Sequence, residues 1–458
     1  MLLLFIANIR CSCVMIILIE EGWKMTKKKL CVISLDAFGD ADLEYAATLP
    51  HFKRIMAKSA QVTGVRTVYP SLTYMAHTSI ATGMYPDKHG IINNTHLQPE
   101  RLDPDWYWYA DEIKTPSFFD VAKKAGYTTA SILWPVTGRS KSIDYNIAEI
   151  FPNKPWQNQV MVSAYASTLK YVLEMNKKYK HLRNGIDQPE LDDFVTAVAV
   201  DTIINKKPDL MAIHLVDLDS MRHEYGVRSN QAREAIIRMD ERLGRLLAAM
   251  EEAGTYEDTI LAVLGDHYQI DTHTVVRPNY LFLDKGWLTV NRKNAIKSWK
   301  VIVKSADGAA YIYRNDPSIT NKMILDALKG IDSRIDNIYT ADDMKWDGAD
   351  SNCIFMIEAK KGYYFADDVT YPFMESTAKT VKGRKLLKAT HGFHPEKKNY
   401  TTMMLLSGPG IDEKARLDRA RLIDEGPTFL HAIGLDYPTK TDGRILHELF
   451  LNKSIQKQ

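Results

Sequence analysis

Six carboxylate and imidazole side chains, far apart in the chain, each lie close to the end of an apolar run. Asp36 follows the run at 30–35, and Asp219 and His223 form an Asp-x-x-x-His unit just after the run at 210–216. Asp266-His267 follows the run at 260–265, and His391 stands in Ala389-Thr390-His391-Gly392-Phe393, shortly before another apolar run at 401–407. Aspartate and histidine in this mixture suit zinc, and less often manganese or iron. Six ligands are too many for one tetrahedral ion and suit two, and a pair of divalent ions can hold a phosphoryl group and stabilise both its attacking and leaving oxygens. Singly, each unit is cheap: an Asp-x-x-x-His pair is an ordinary exposed helix face, and an aspartate after a strand is an ordinary helix cap. Convergence on one edge of one sheet is what carries the chemistry.

A nucleophile candidate comes from the segment Tyr69-Pro70-Ser71-Leu72-Thr73-Tyr74-Met75-Ala76-His77. The spacing predicts a helix from about Thr73 to Thr82, ended by Gly83, with Pro86 preventing its continuation. A hydroxyl at that N-terminus faces free backbone N–H groups and the positive end of the helix dipole, both of which favour bound phosphate. From position alone Thr73 could equally be a cap. His77, one turn inside, reads as a packed helix residue, His89 as a loop-shaping residue and His214 as a satisfied core histidine. His273 and His394 remain near the candidate site in sequence.

The elements that must position these groups follow from hydrophobic patterning. The runs at 30–35, 210–216 and 260–265 are apolar on both faces, as central parallel strands are. Helical patterns at 115–125 and 229–253 lie between them and stop at Gly126 and Gly254. Strand alternating with helix predicts an α/β fold, a doubly wound and mostly parallel sheet with helices on both faces. In such sheets ligands bind outside the carboxyl ends of the strands, where these acids fall. Residues 25–274 and 386–452 are expected to form this core. Residues 275–385, with short strands near 309–313 and 353–357 around a helix near 318–330, read as a small inserted α+β subdomain. Residues 151–187 read as a polar, aromatic, lysine-containing helical or loop insertion.

Composition excludes several classes. The chain has 458 residues, 45% hydrophobic and 25% charged, which rules out a disordered, collagen-like or coiled-coil protein. With 59 Lys and Arg against 57 Asp and Glu, no global field recruits nucleic acid, and no stable nucleic-acid binding is expected. Four cysteines cannot build a disulfide framework, which points to a reducing compartment or indifference to oxidation, and a cytoplasmic setting is expected. The first 24 residues are apolar but broken by Arg10, and Met25-Thr26-Lys27-Lys28-Lys29 precedes the first strand. They read as a gene-model extension or an atypical N-terminal segment. If they are genuine, the chain would be membrane-anchored or exported. No firm membrane partner is expected otherwise, and the oligomeric state is open.

Taken in order, Asp36, the Thr73-Tyr74-x-x-His77 helix opening, Thr82-Gly83-Met84-Tyr85-Pro86-x-x-His89-Gly90-Ile91, Asp219-x-x-x-His223-x-Tyr225-Gly226, Asp266-His267 and Thr390-His391-Gly392-Phe393 resemble the alkaline phosphatase superfamily, and within it the nucleotide pyrophosphatase/phosphodiesterase-like family. The resemblance covers roughly residues 29–450. It implies two divalent metal ions, zinc with manganese as the alternative: one held by Asp36, Thr73, Asp266 and His267, the other by Asp219, His223 and His391. It implies Thr73 as nucleophile, Asn94 as the amide that hydrogen-bonds the phosphate, and Tyr74 as an aromatic contact to a nucleobase or other leaving group. The implied activity is cleavage of small phosphodiesters or pyrophosphates, nucleotide-type substrates among them, through a threonyl-phosphoryl intermediate. A phosphomonoesterase or phosphonoacetate-hydrolase-like activity is the alternative. A monoesterase needs an extra positive group for its third non-bridging oxygen, and no arginine occurs between Thr67 and Glu100. Arg66 or Arg222 could supply one from nearby. Three neighbours depart from the family pattern: Ala37 where glycine is common, Met75-Ala76 where Pro-Asn is common, and Tyr268-Gln269 where Gly-Met is common.

Overall fold

The computed structural model describes residues 27–378 and 386–451. The expected N-terminal extension therefore lies outside the described residues. Strands β1 (Lys29–Leu35), β2 (Ala60–Arg66), β3 (Thr129–Ile132), β4 (Tyr145–Ile147), β5 (Leu210–Leu215) and β6 (Thr259–Leu264) join the strand Thr402–Ser407 and two short strands at 416–417 and 420–421 in a nine-stranded sheet. The order across it, from the 416–417 edge, is β2, Thr402–Ser407, β6, β1, β5, β3, β4. β1 lies at the centre, parallel to both β5 and β6. Thr402–Ser407 runs antiparallel to β6 and β2, so the sheet is mostly parallel, as expected, with one reversed strand inside it.

Alternation along β1 shows why helices cover both faces. Cys31, Ile33 and Leu35 enter one core with the helices Glu190–Asn205 and Asn230–Glu252. Leu30 and Val32 enter another with Thr73–Thr82 and Glu425–Ala432. Successive side chains of a strand point to opposite faces, so a strand apolar throughout requires cover on both. The helix Phe118–Lys124 begins at a Ser117–Asp120 capping box, and Gly126 beyond its end has φ +79. Asn230–Glu252 is capped by Ser229 and followed by Gly254 at φ +68.

Residues 270–390 build three smaller sheets outside the large one. One of the two four-stranded sheets orders its strands Val301–Ala306, Ala309–Arg314, Phe355–Ala359 and Ile335–Thr340, with the helix Asn321–Leu328 in the same region. The strand Ile270–Val276 begins a few residues before the expected start of this region, and its partner at 389–390 leads directly to His391. Residues 151–187 hold the helices Gln159–Ala166 and Leu169–Tyr179.

Candidate metal centre and nucleophile

The helix Thr73–Thr82 forms within one residue of its expected limits, and Gly83 closes it at φ +66. All ten of its residues are buried, which fixes Thr73 at the N-terminal end against the sheet edge. His77 holds that end: its ring nitrogens lie 2.8 Å from the Thr73 carbonyl and 2.9 Å from Ser34 Oγ. His89 behaves as a loop former, bonding Ser79 Oγ and accepting from the Ile91 N–H.

Three groups converge on one imidazole nitrogen. His267 Nε2 lies 3.0 Å from Thr73 Oγ1, 3.2 Å from Asp266 Oδ2 and 3.4 Å from Asp36 Oδ1. Beside them, His223 Nε2 is 3.2 Å from Asp219 Oδ2. The His391 ring sits 4.3 Å from that of His267 and 5.0 Å from that of His223, centre to centre. Two sets of ligand atoms are close enough to hold an ion: Asp36, Asp266 and His267, and Asp219, His267 and His391. All seven expected ligands are thus gathered at one edge, with His267 at the junction.

The donor set fits cations. Asp36 Oδ1, Asp266 Oδ2, His267 Nδ1 and His391 Nδ1 are buried without a hydrogen-bond partner. Each such orphan costs roughly 1–3 kcal/mol, so a cluster of them marks atoms meant for another partner. Burial, and then the Asp219 and Asp266 charges, push the Asp36 carboxyl well above the usual carboxylate range. Burial raises Asp266 to about 7. Burial lowers His267 and His391, keeping them neutral as metal ligands must be. Three carboxylates enclosed together are stable as anions only opposite positive charge.

Groups outside the expected ligand set orient it. His214 is buried and fully hydrogen-bonded, but its partners are Asp36 Oδ2 at 3.0 Å and Glu149 Oε2 at 3.1 Å. Burial opposes charge on this ring, yet the two carboxylates outweigh it and hold it well above the usual histidine range. His223 Nδ1 bonds the Ala389 carbonyl at 2.8 Å, which makes Nε2 the nitrogen free to ligate. Gln269 donates to the Asp219 side chain and its carbonyl. Asp217, a strand-end acid like the ligands, is instead clamped by Arg238 and Arg242, a structural pairing.

Asn94 lies beside the start of the Thr73–Thr82 helix. Its Oδ1 accepts the Tyr74 N–H at 3.0 Å, which leaves the NH2 group as the donor available to a ligand. Tyr74 itself corrects the expectation of an open aromatic face. Its side chain is 0% exposed, its hydroxyl donates to Glu149, and its ring packs edge-on against Trp106 in a buried aromatic cluster. It walls the site and offers no free face. The arginines considered as extra phosphate donors are committed elsewhere: Arg66 to Asp347 and Glu396, Arg222 to Asp42 and the Ala37 carbonyl. His394 packs against Tyr69 beside Asp347, and His273 beside Tyr363; neither joins the ligand groups. Ala37 has φ +62, a conformation a glycine adopts without strain, and its N–H donates to Asp266 Oδ1.

A family model described as type I phosphodiesterase / nucleotide pyrophosphatase matches residues 30–394. A venom phosphodiesterase of Crotalus adamanteus is 24% identical over 245 residues, 52% of this chain and 26% of that protein. An ectonucleotide pyrophosphatase/phosphodiesterase of Caenorhabditis elegans is 24% identical over 428 residues, 92% of this chain and 44% of that one. The chain thus spans a quarter to under a half of these curated relatives. Among solved structures, murine ectonucleotide pyrophosphatase/phosphodiesterase 5 shares the fold with a TM-score of 0.66 at 19% identity, covering 93% of this chain and 100% of that one. An inactive form of the same mouse protein, in complex with AMP, matches equally well.

Proposed function

Because the chain belongs to the type I phosphodiesterase/nucleotide pyrophosphatase family, we propose that it hydrolyses small phosphodiesters or pyrophosphates, nucleotide-type substrates among them, with Thr73 as nucleophile. The observation that carries the reading is the meeting of Thr73 Oγ1, Asp36 and Asp266 at His267 Nε2, with Asn94 fixed on the next backbone N–H. Asp36, Thr73, Asp266 and His267 would hold one divalent ion, and Asp219, His223 and His391 a second. Zinc suits this donor set best and manganese is the alternative. When bound, the ions supply the positive charge that favours the Thr73 alkoxide and offsets charge building on the phosphoryl oxygens.

The remaining steps belong to the chain. The Thr73 oxygen attacks phosphorus, and the bond to the leaving oxygen breaks as the Thr73 Oγ–phosphorus bond forms, the threonine proton passing to the leaving oxygen. Asn94 donates its NH2 to a non-bridging oxygen, where charge develops. Water then cleaves the threonyl phosphodiester, its OH going to phosphorus and its proton returning to Thr73. Ser71, the nearest other serine or threonine in the chain, is held by the Phe393 carbonyl and Tyr400 OH.

Diester preference follows from the arginines. A dianionic monoester needs a further cation at its third non-bridging oxygen. Arg66 and Arg222, the two in question, already serve carboxylates and a carbonyl. The AMP complex of the mouse relative favours nucleotide substrates. Comparing catalytic efficiency on a nitrophenyl nucleotide diester and on nitrophenyl phosphate at the same metal loading tests this. The diester should lead; a monoester preference of about tenfold, ~1.4 kcal/mol in the barrier, overturns it.

No helix among the described residues is long and apolar enough to cross a membrane. The cytoplasmic setting expected from the cysteine count finds no support in the relatives, whose names are those of ecto- and venom enzymes. Their names favour the alternative of export, which fractionation of the native cells tests.

A further inference from the structure

We propose that the segment 151–187 is a docking surface for an anionic lipid bilayer. The inference goes beyond the hydrolase reading and does not depend on it. Nearly half of the exposed large apolar side chains among the described residues fall in this short stretch. Trp156 is 70% exposed, and Val160, Met161, Leu169, Leu173 and Ile186 are all more than half exposed. A scattering of single exposed apolar residues is normal, but a cluster marks an interaction surface.

Part of the cluster is continuous. Val160 on one helix and Leu173 on the next line a common hollow with Arg183. Arg183 and Ile186 line the adjoining cavity of about 180 Å³. The same cavity is also lined by Glu149, Val216 and Ser220, the last next to Asp219 in the chain. The surface therefore borders the candidate metal centre.

Charge selects the occupant. The segment carries six Lys and Arg residues against two acids, whereas the whole chain is nearly balanced at 59 against 57. Five of the six are lysines. On the helix Leu169–Tyr179 the exposed Lys170, Leu173 and Lys177 recur at helical spacing on one face, and exposed Lys180 follows. The buried Tyr171, Val172 and Met175 hold the other face to the core. Basic residues flanking exposed Leu, Val and Trp are what an interfacial helix presents to anionic headgroups, the lysine stems lying along the apolar boundary. A protein partner fits less well, since protein interfaces deplete lysine and favour arginine. A second copy fits worst, because a twofold contact would set the same basic patch against itself.

The test is cosedimentation of the full chain with vesicles of phosphatidylcholine alone and of phosphatidylcholine with phosphatidylserine. The two variants are Lys170→Ala with Lys177→Ala, and Leu169→Ser with Leu173→Ser, all at exposed positions. Wild type should bind the anionic vesicles selectively and release as salt rises. Each lysine near such a surface contributes about fivefold, so the double lysine variant should partition roughly 30-fold more weakly. The leucine variant should also weaken, with both variants unfolding at the wild-type temperature. Equal binding to neutral and anionic vesicles overturns the proposal. So does unchanged binding by both variants, which would assign the affinity to another part of the chain, residues 1–24 included. A dimer seen by sedimentation velocity that either variant abolishes, with no vesicle binding, overturns it in favour of self-association.

Discussion

The two groups of candidate ligands are built differently. Asp36 and Asp266-His267 stand directly at the ends of β1 and β6, neighbouring strands at the centre of the large sheet, with Thr73 on a helix buried along its whole length. Asp219, His223 and His391 come from a short helix and a loop, and residues in or beside the smaller sheets brace them. The Ala389 carbonyl accepts a hydrogen bond from His223 Nδ1, the Gly308 N–H donates to the His391 carbonyl, and a Cβ on Gly392 would come within 1.8 Å of the Ala306 carbonyl. One group is fixed by the core of the fold, the other by contact between two regions. Damage should therefore separate them.

The largest effect belongs to the first group. Thr73→Ala should remove activity by several orders of magnitude at a far smaller cost to stability, because the change deletes the attacking hydroxyl and only one buried methyl group. Retention of more than about a tenth of the activity, a loss of ~1.4 kcal/mol at most, would remove Thr73 from the nucleophile role.

Next comes the second group. His223→Ala or His391→Ala should leave Asp36, Asp266 and His267 intact, so metal analysis should find close to one ion per chain where wild type holds two. Two ions at full occupancy in either variant would take that histidine out of the ligand set.

Supporting residues should cost less. His214→Phe leaves Asp36 Oδ2 without its 3.0 Å partner, and Gly392→Ala forces the His391 loop away from Ala306. Losses of 10–100-fold in activity or metal affinity are expected for each. The contrast sharpens the comparison: His214→Phe should weaken the ion at Asp36, Gly392→Ala the ion at His391. Both variants losing the same ion would show that the two groups are not separately built.

The smallest effect concerns Ala37. Left-handed backbone costs a non-glycine residue about 1–2 kcal/mol, and glycine's extra unfolded freedom offsets about 0.5–1. Ala37→Gly should thus leave stability unchanged or raise it by up to about 1.5 kcal/mol in denaturant unfolding. A loss of more than about 1 kcal/mol would mean that the alanine methyl packs usefully there.

Much of this was legible in the chain because burial leaves a plain mark. β1, β5 and β6 are apolar throughout, so their existence and their acid-tipped ends could be read directly, and Gly83 and Pro86 fixed the end of the nucleophile helix. Strand direction left no such mark: Thr402–Ser407 has the same composition as its parallel neighbours yet runs against them. The Glu149–His214–Asp36 chain was equally hidden, since it depends on β3 lying beside β5 with β4 beyond it, and strand order is not written in local pattern. Tyr74 shows a third limit. Its place next to Thr73 names a neighbour of the site but not the direction of its ring, which the Trp106 and Glu149 contacts decide.

Stereochemistry at phosphorus tests the central claim most directly. A diester made chiral at phosphorus with sulfur and heavy oxygen, hydrolysed by the metal-loaded protein, reports how many in-line displacements occur. Attack by Thr73 followed by attack of water gives two inversions, so the product should show net retention. Net inversion would mean that water attacks the substrate directly, and would contradict the threonyl-phosphoryl account.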